Sequence, residues 1–173
     1  MKKQFYFSAA SALNTCMVLS HYSTKSIEDV MSATPQGLKW FQTSPHQNLT
    51  IAKALIQRAE KAGYKALVLT VDAPIIGFRR DDIRNNMKFP PHLSMVNYKE
   101  TKLKDMRSMK FRSKNPATWE SLGWYRTFTK LPIILKGILT GSDAKLALDC
   151  GVNAIIVSNH GGRQLDSVSA TVS

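Results

Sequence analysis

Residues Ala154–Arg163 read AIIVSNHGGR, four apolar residues that break abruptly into serine, asparagine, histidine, two glycines and arginine. A run so short, apolar and β-branched fits a buried parallel strand, and the polar residues after it fit the loop leaving its C-terminal end. The same form recurs upstream. Pro132–Leu135 (PIIL) ends in Lys136-Gly137, and Ala66–Val71 (ALVLTV) passes Thr70 and ends at Asp72. Two weaker candidates are Cys16–Leu19 (CMVL), followed by Ser20, and Lys39–Gln42 (KWFQ).

Helical patterns lie between these strands. Leu49–Ala62 sets Ile51, Ala52, Leu55, Ile56 and Ala59 on one stripe and is followed by Gly63, a residue suited to closing a helix. Ser142–Asp149 precedes Gly151 in the same way, and Ser26–Met31 predicts a shorter helix. Asn115-Pro116 predicts the start of another, carrying Trp119, Leu122, Trp124, Tyr125 and Phe128. Strands alternating with helices predict an α/β fold with a parallel sheet. The stretch from Asp72 to Lys114 is far longer than an ordinary strand-to-helix connection, which marks it as functional or disordered.

Composition narrows the classes. The 173 residues are 43% hydrophobic and 21% charged, enough to build a core. Cys16 and Cys150 are too few for a disulfide framework and read as reduced, buried thiols. No paired CxxC is present, so no metal is expected, and no apolar run is long enough to span a membrane. Residues 1–12 imitate a signal peptide, but their apolar part is short and broken by serines. Asn48-Leu49-Thr50 is a glycosylation sequon, yet Asn48 also stands where a helix N-cap is needed. The net charge is +12, and residues 79–114 hold eleven Lys and Arg against four Asp and Glu. Without interleaved aromatics this segment reads as a solvated surface, with no nucleic acid and no membrane insertion as partners.

In parallel α/β folds, active sites form at the C-terminal ends of the strands. Here those ends deliver Ser20, Gln42, Thr70, Asp72, Lys136, Ser158, His160 and Arg163. Each alone is an ordinary surface or turn residue. Together they form a set able to handle an anion and a proton. Asp72 can orient the His160 imidazole, Arg163 can clamp a carboxylate, and Lys136 can face developing negative charge. GxGxxG, Walker A and GxSxG motifs are missing.

VSNHGGRQLD (Val157–Asp166) closely resembles the signature of the FMN-dependent 2-hydroxy acid oxidase and dehydrogenase family. LPIILKGIL (Leu131–Leu139), ALVLTVDAPIIGFRRDDIRN (Ala66–Asn85) and GLKWFQ (Gly37–Gln42) match it in order and spacing. Tyr22, Trp40-Phe41, Leu55-Ile56-Gln57-Arg58 and Gly161-Gly162 favour the family's long-chain members over its glycolate oxidases. The resemblance implies an FMN cofactor and oxidation of an (S)-2-hydroxy acid, of medium or long chain, to the 2-oxo acid. Electrons would pass to oxygen, forming hydrogen peroxide. It implies His160 as the base, Asp72 as its partner, and Arg163 and Arg79 as the carboxylate-binding pair. It places Lys136 beside flavin N1 and O2, Ser20, Gln42 and Thr70 on the ring, and Ser158 near the ribityl chain. It implies a peroxisomal location and, for the full-length form, a homotetramer. The chain ends Thr171-Val172-Ser173, which is no peroxisomal tripeptide, so the cytoplasm is the alternative.

Two departures stand out. Ser44 occupies the position of a family tyrosine that bonds substrate and flavin. The family fold is a (β/α)8 barrel in a chain about twice this length, so the resemblance covers only strands two to six. The expectation is therefore a partial barrel: an incomplete FMN-dependent domain over 1–173, with 1–8 as an unrelated extension and 73–114 as a basic active-site loop. The FMN phosphate site and a substrate tyrosine fall outside the match, so the chain is expected to retain little flavin. The alternative is a non-catalytic fragment that associates with a full-length homologue.

Overall fold

The computed structural model describes residues 2–46, 48–74, 77, 79–99 and 117–172, with backbone alone for 2–5. Its strands follow the apolar runs: β1 (Met17–Ser20), β2 (Lys39–Thr43), β3 (Ala66–Thr70), β4 (Ile133–Ile138) and β5 (Ala154–Val157). All neighbours pair in parallel, and the spatial order is the chain order, β1-β2-β3-β4-β5. An order that never reverses is the winding of a (β/α)8 barrel rather than of a doubly wound sheet, whose order switches direction. The described residues thus form five consecutive strands of a barrel, the first four each followed by helix.

Alternation along the strands separates two environments. Leu19, Phe41, Leu67, Leu69, Ile133 and Leu135 pack with helix residues in the main core. Ala66, Val68 and Ile134 form a smaller cluster with Trp40 and Ile156 on the other face. The helices are α1 (Lys2–Ala12), α2 (Ile27–Ala33), α3 (Leu49–Ala62), α4 (Arg80–Arg84), α5 (Ser121–Arg126) and α6 (Gly141–Asp149). Phe7 of α1 is buried in the main core. Local chemistry sets the helix limits. Asn48 Oδ1 accepts from the amides of Thr50 and Ile51 at the start of α3, and Gly63 ends it at φ +100°. Ser26 and Thr140 cap α2 and α6 in the same way.

Several elements differ from the sequence-based expectation: β5, expected as a buried strand, is largely exposed because no further strand or helix covers it among the described residues, and α1 and α4 lie where no helix is expected. Strand β4 continues through Lys136-Gly137 to Ile138, with its register to β5 shifting between Lys136 and Ile138. The helix expected from Asn115-Pro116 begins at Ser121; Asn115 and Pro116 lie outside the described residues. Its start is set by Thr118 and Ser121, which bond each other through side chain and backbone, leaving Trp119 ahead of the helix. Finally, part of the long connection is not solvated. Met95, Asn97 and Tyr98 are buried. Asn97 accepts from the Ile27 amide and donates to the His21 carbonyl. Arg58 donates to the Asn97 carbonyl while making two bonds to Glu28, and this guanidinium holds the Glu28 carboxyl below its usual range. The basic residues 102–114 lie outside the described residues. Cys16 and Cys150 are half-buried free thiols, and burial pushes the Cys16 thiol up.

Candidate active site

The strand register gathers the polar strand ends. Ser20 pairs with Gln42, and Thr70 pairs with Lys136. Gln42 Nε2 donates to Thr70 Oγ1 at 2.9 Å, linking β2 to β3. These four side chains line a cavity of about 630 Å³ together with Arg79, His160 and Arg163. Val18, Val68, Tyr22, Phe89 and Ile156 supply apolar wall, and Ser44 also lines the cavity. A space of this size, largely apolar with a few convergent polar groups, is typical of a cofactor or small-molecule site.

Asp72 follows β3 and His160 follows β5, yet Asp72 Oδ1 lies 2.7 Å from His160 Nδ1. Its other oxygen, Oδ2, is 3.7 Å from Lys136 Nζ and makes no hydrogen bond among the described residues. Asp72 is the most enclosed of the three, with a side chain 9% exposed. The irregularity in β4 explains how it fits. Gly137 sits at φ +113°, and a Cβ there would stand 2.4 Å from the Asp72 Cβ and 2.6 Å from its carboxyl carbon. The missing side chain and the register shift together leave room for the carboxylate behind His160.

His160, Gly161 and Gly162 are three successive left-handed residues, at φ +61°, +64° and +67°. Glycine tolerates this conformation, whereas histidine is strained in it. Asn159 Oδ1 holds the turn by accepting from the amides of Gly161 and Gly162, and Ser158 Oγ accepts from the His160 amide. A Cβ on Gly161 would approach Arg163 Nη1 to 2.9 Å, so the Arg163 guanidinium lies back over this turn. Arg79 Nε is buried and makes no hydrogen bond among the described residues, and Arg79 Nη1 is 3.9 Å from Asp82. Two guanidinium groups thus share a cavity wall with an imidazole, a combination suited to a carboxylate next to a proton acceptor.

Of the residues expected from sequence, Ser20, Gln42, Thr70, Lys136, Arg79, His160 and Arg163 line this one cavity. Asp72 stands behind His160, and Ser158 is outside the lining, occupied with the His160 amide. Val18, Val68, Ala73, Phe89, Ile156 and Gln164 complete the wall without having been singled out. Val18 and Val68 share the strand face of Ser20 and Thr70, so period-two alternation could have found them. Phe89, within the long connection, carries no such signal. Among the described residues no cluster of His, Cys, Asp and Glu could hold a metal ion. No helix there is long and apolar enough to cross a membrane.

Comparison with known proteins bears on this arrangement. A family model described as FMN-dependent dehydrogenase matches residues 3–173. The chain is 45% identical to 2-hydroxyacid oxidase 2 of Bos taurus over 95% of its own length and 47% of that relative's. It is 43% identical to 2-hydroxyacid oxidase 1 of Homo sapiens, covering 48% of that protein. The chain therefore spans about half the length of the curated relatives it matches. Among solved structures it resembles mandelate oxidase with (S)-2-phenylpropionate, at a TM-score of 0.81 and 36% identity, over 96% of this chain and 45% of that one. A mandelate oxidase mutant with the C4a-OH-FMN adduct matches with the same TM-score, 0.81.

Proposed function

The chain belongs to the FMN-dependent dehydrogenase family, and from that premise we propose that its cavity is the active-site wall of an (S)-2-hydroxy acid oxidase. The reaction is oxidation of the hydroxy acid to the 2-oxo acid with hydrogen peroxide formed from oxygen. The observation that carries this reading is the Asp72–His160 contact at 2.7 Å beside Arg79 and Arg163 in one cavity.

The residues present fit the flavin. Ser20, Gln42, Thr70 and Lys136 offer hydroxyl, amide and ammonium groups beside the apolar Val18, Val68 and Ile156, as a flat heteroaromatic ring with polar edge atoms requires. Bound FMN would supply the two-electron acceptor. Arg79 and Arg163 hold the substrate carboxylate, with the buried Arg79 Nε as one donor. Asp72 accepts from His160 Nδ1–H, which fixes the tautomer and leaves Nε2 to take the substrate's proton. The same carboxylate then faces the imidazolium. Ser158 remains the candidate for the ribityl chain. Tyr22 and Phe89 give the substrate's side chain an apolar wall, which favours medium or long chains. For the whole protein the same reading includes a peroxisomal location and a homotetramer.

The test is to load the protein with FMN and follow bleaching of its visible absorbance by 2-hydroxy acids under anaerobic conditions. His160→Gln and Asp72→Asn should slow bleaching by about a hundredfold or more. A flavin-loaded protein that no 2-hydroxy acid bleaches, or a His160→Gln variant as fast as the parent, overturns the proposal. A second reading, a non-catalytic chain that pairs with a full-length homologue, draws on β5, where Ile155 and Val157 are 36% and 51% exposed. Co-purification with that homologue supports it, and failure to associate removes it.

A further inference from the structure

We propose that Gln164 is a positioning residue that sets the spacing between Arg79 and Arg163, an inference that rests on the function proposed above. Gln164 Oε1 accepts from the Gly77 amide at 3.0 Å, joining positions 87 residues apart. Gly77 lies two residues before Arg79, and Gln164 directly follows Arg163. The bond therefore ties the connection after β3, which carries Arg79, to the loop after β5, which carries Arg163.

Close packing supports the tie. A Cβ on Gly77 would stand 2.4 Å from the Arg163 carbonyl oxygen and 2.8 Å from Gln164 Oε1. Two backbones meet there, and only glycine fits between them. Both guanidinium groups line the same cavity as Gln164 itself. A carboxylate held by two guanidinium groups needs them at a fixed separation, and the two arginines stand on loops that leave different strands. The chemistry of the clamp suits that task. A neutral amide oxygen accepts the Gly77 N–H without competing for the guanidinium groups, whereas a carboxylate in its place would take the partner meant for the substrate.

The test uses oxalate as a carboxylate probe, titrated calorimetrically into the FMN-loaded protein. Four forms are compared: parent, Gln164→Met, Arg79→Met and the double variant. Methionine keeps the length of glutamine and removes the acceptor. Gln164→Met should weaken oxalate about tenfold in the parent, and less than about twofold when Arg79 is already gone. Exchange of the Gly77 amide proton should accelerate in Gln164→Met. Gly77→Ala, which breaks the contact from the other side, should weaken oxalate in the same direction. Equal losses in both Arg79 backgrounds, as a merely structural role gives, overturn the proposal, and so does an unchanged Gly77 amide. A parent that binds FMN and oxalate while Gln164→Met matches it removes the clamp alone. A parent that takes up FMN but binds no oxalate removes the function reading, and this role with it.

Discussion

Gly137→Ala tests the core of the site without requiring catalysis. At Gly137 φ is +113°, in the range that L side chains avoid, and adopting a left-handed backbone costs a non-glycine residue about 1–2 kcal/mol. The new methyl would also stand 2.4 Å from the Asp72 Cβ, more than an ångström inside ordinary carbon contact. Relieving such an overlap costs a further ~1–3 kcal/mol. Together the substitution should lower unfolding free energy by about 2–5 kcal/mol, a large share of a typical domain's stability. Urea denaturation followed by tryptophan fluorescence reads this as a midpoint lowered by roughly 1–2 M. In an Asp72→Gly background the overlap is absent, so Gly137→Ala should then cost only the ~1–2 kcal/mol of backbone strain. Gly123 in α5 provides the opposite sign, because a Cβ there meets nothing within 4 Å. Gly123→Ala should raise stability by about 0.5–1 kcal/mol. A Gly137→Ala midpoint equal to the parent's, or an unchanged loss in the Asp72→Gly background, would refute the packing of Asp72 against β4.

Asn97→Ala removes the acceptor of the buried Ile27 amide and the donor to the His21 carbonyl, and should cost about 2–3 kcal/mol in the same assay. Tyr125 has its phenol pushed up to about 12 by burial, above the ordinary value near 10. A value raised in the folded state means stability is intact below pH 10 and lost as pH climbs through 12, by about 2–3 kcal/mol. Tyr125→Phe should flatten that alkaline slope, as unfolding curves at pH 9 and 11 would record. Asn159→Ala frees the amides of Gly161 and Gly162 and should broaden the His160 Nδ1 proton resonance, with little change in stability because the turn is exposed.

How far the sequence could be read follows from where information is local. α3 was legible because Asn48, an apolar stripe and Gly63 all agree, and β5 because its apolar run stops at a polar loop. Lys136-Gly137 reads as a loop in sequence, whereas in β4 the glycine is an irregularity that makes room for Asp72. Proline at 116 is a generic helix opener, but α5 begins at Ser121, where the Thr118–Ser121 turn sets its start. The burial of Asn97 and Tyr98 left no trace, since both sit in a polar, basic connection without periodicity. For the site, the strand-end rule alone selects polar residues on five strands. It does not say that Asp72 and His160 touch across two strands, nor that Gln164 reaches Gly77.

The charge distribution yields a last test. Of the basic residues between positions 79 and 99, only Arg79 lines the cavity, while Arg84 is spent on an exposed pair with Asp81 worth little energy. Within the site, Asp72 faces both His160 and Lys136, which leaves the two guanidinium groups as the remaining cationic partners for a ligand. The wall around them is largely apolar, which suits a carboxylate whose hydrocarbon part is buried rather than a polyanion. A polyanion held by the basic segment would release many counterions and lose about 10³-fold or more in affinity between 50 and 200 mM salt. A small dianion between two partly enclosed guanidinium groups displaces about two ions at most, so oxalate affinity should fall no more than about sixteenfold over that range. Oxalate titrations at the two salt concentrations, with Arg163→Met as the variant that should abolish binding, decide between the two. A steep salt dependence that survives Arg163→Met would mean the basic segment, and not the strand-end cavity, is where this chain meets its anion.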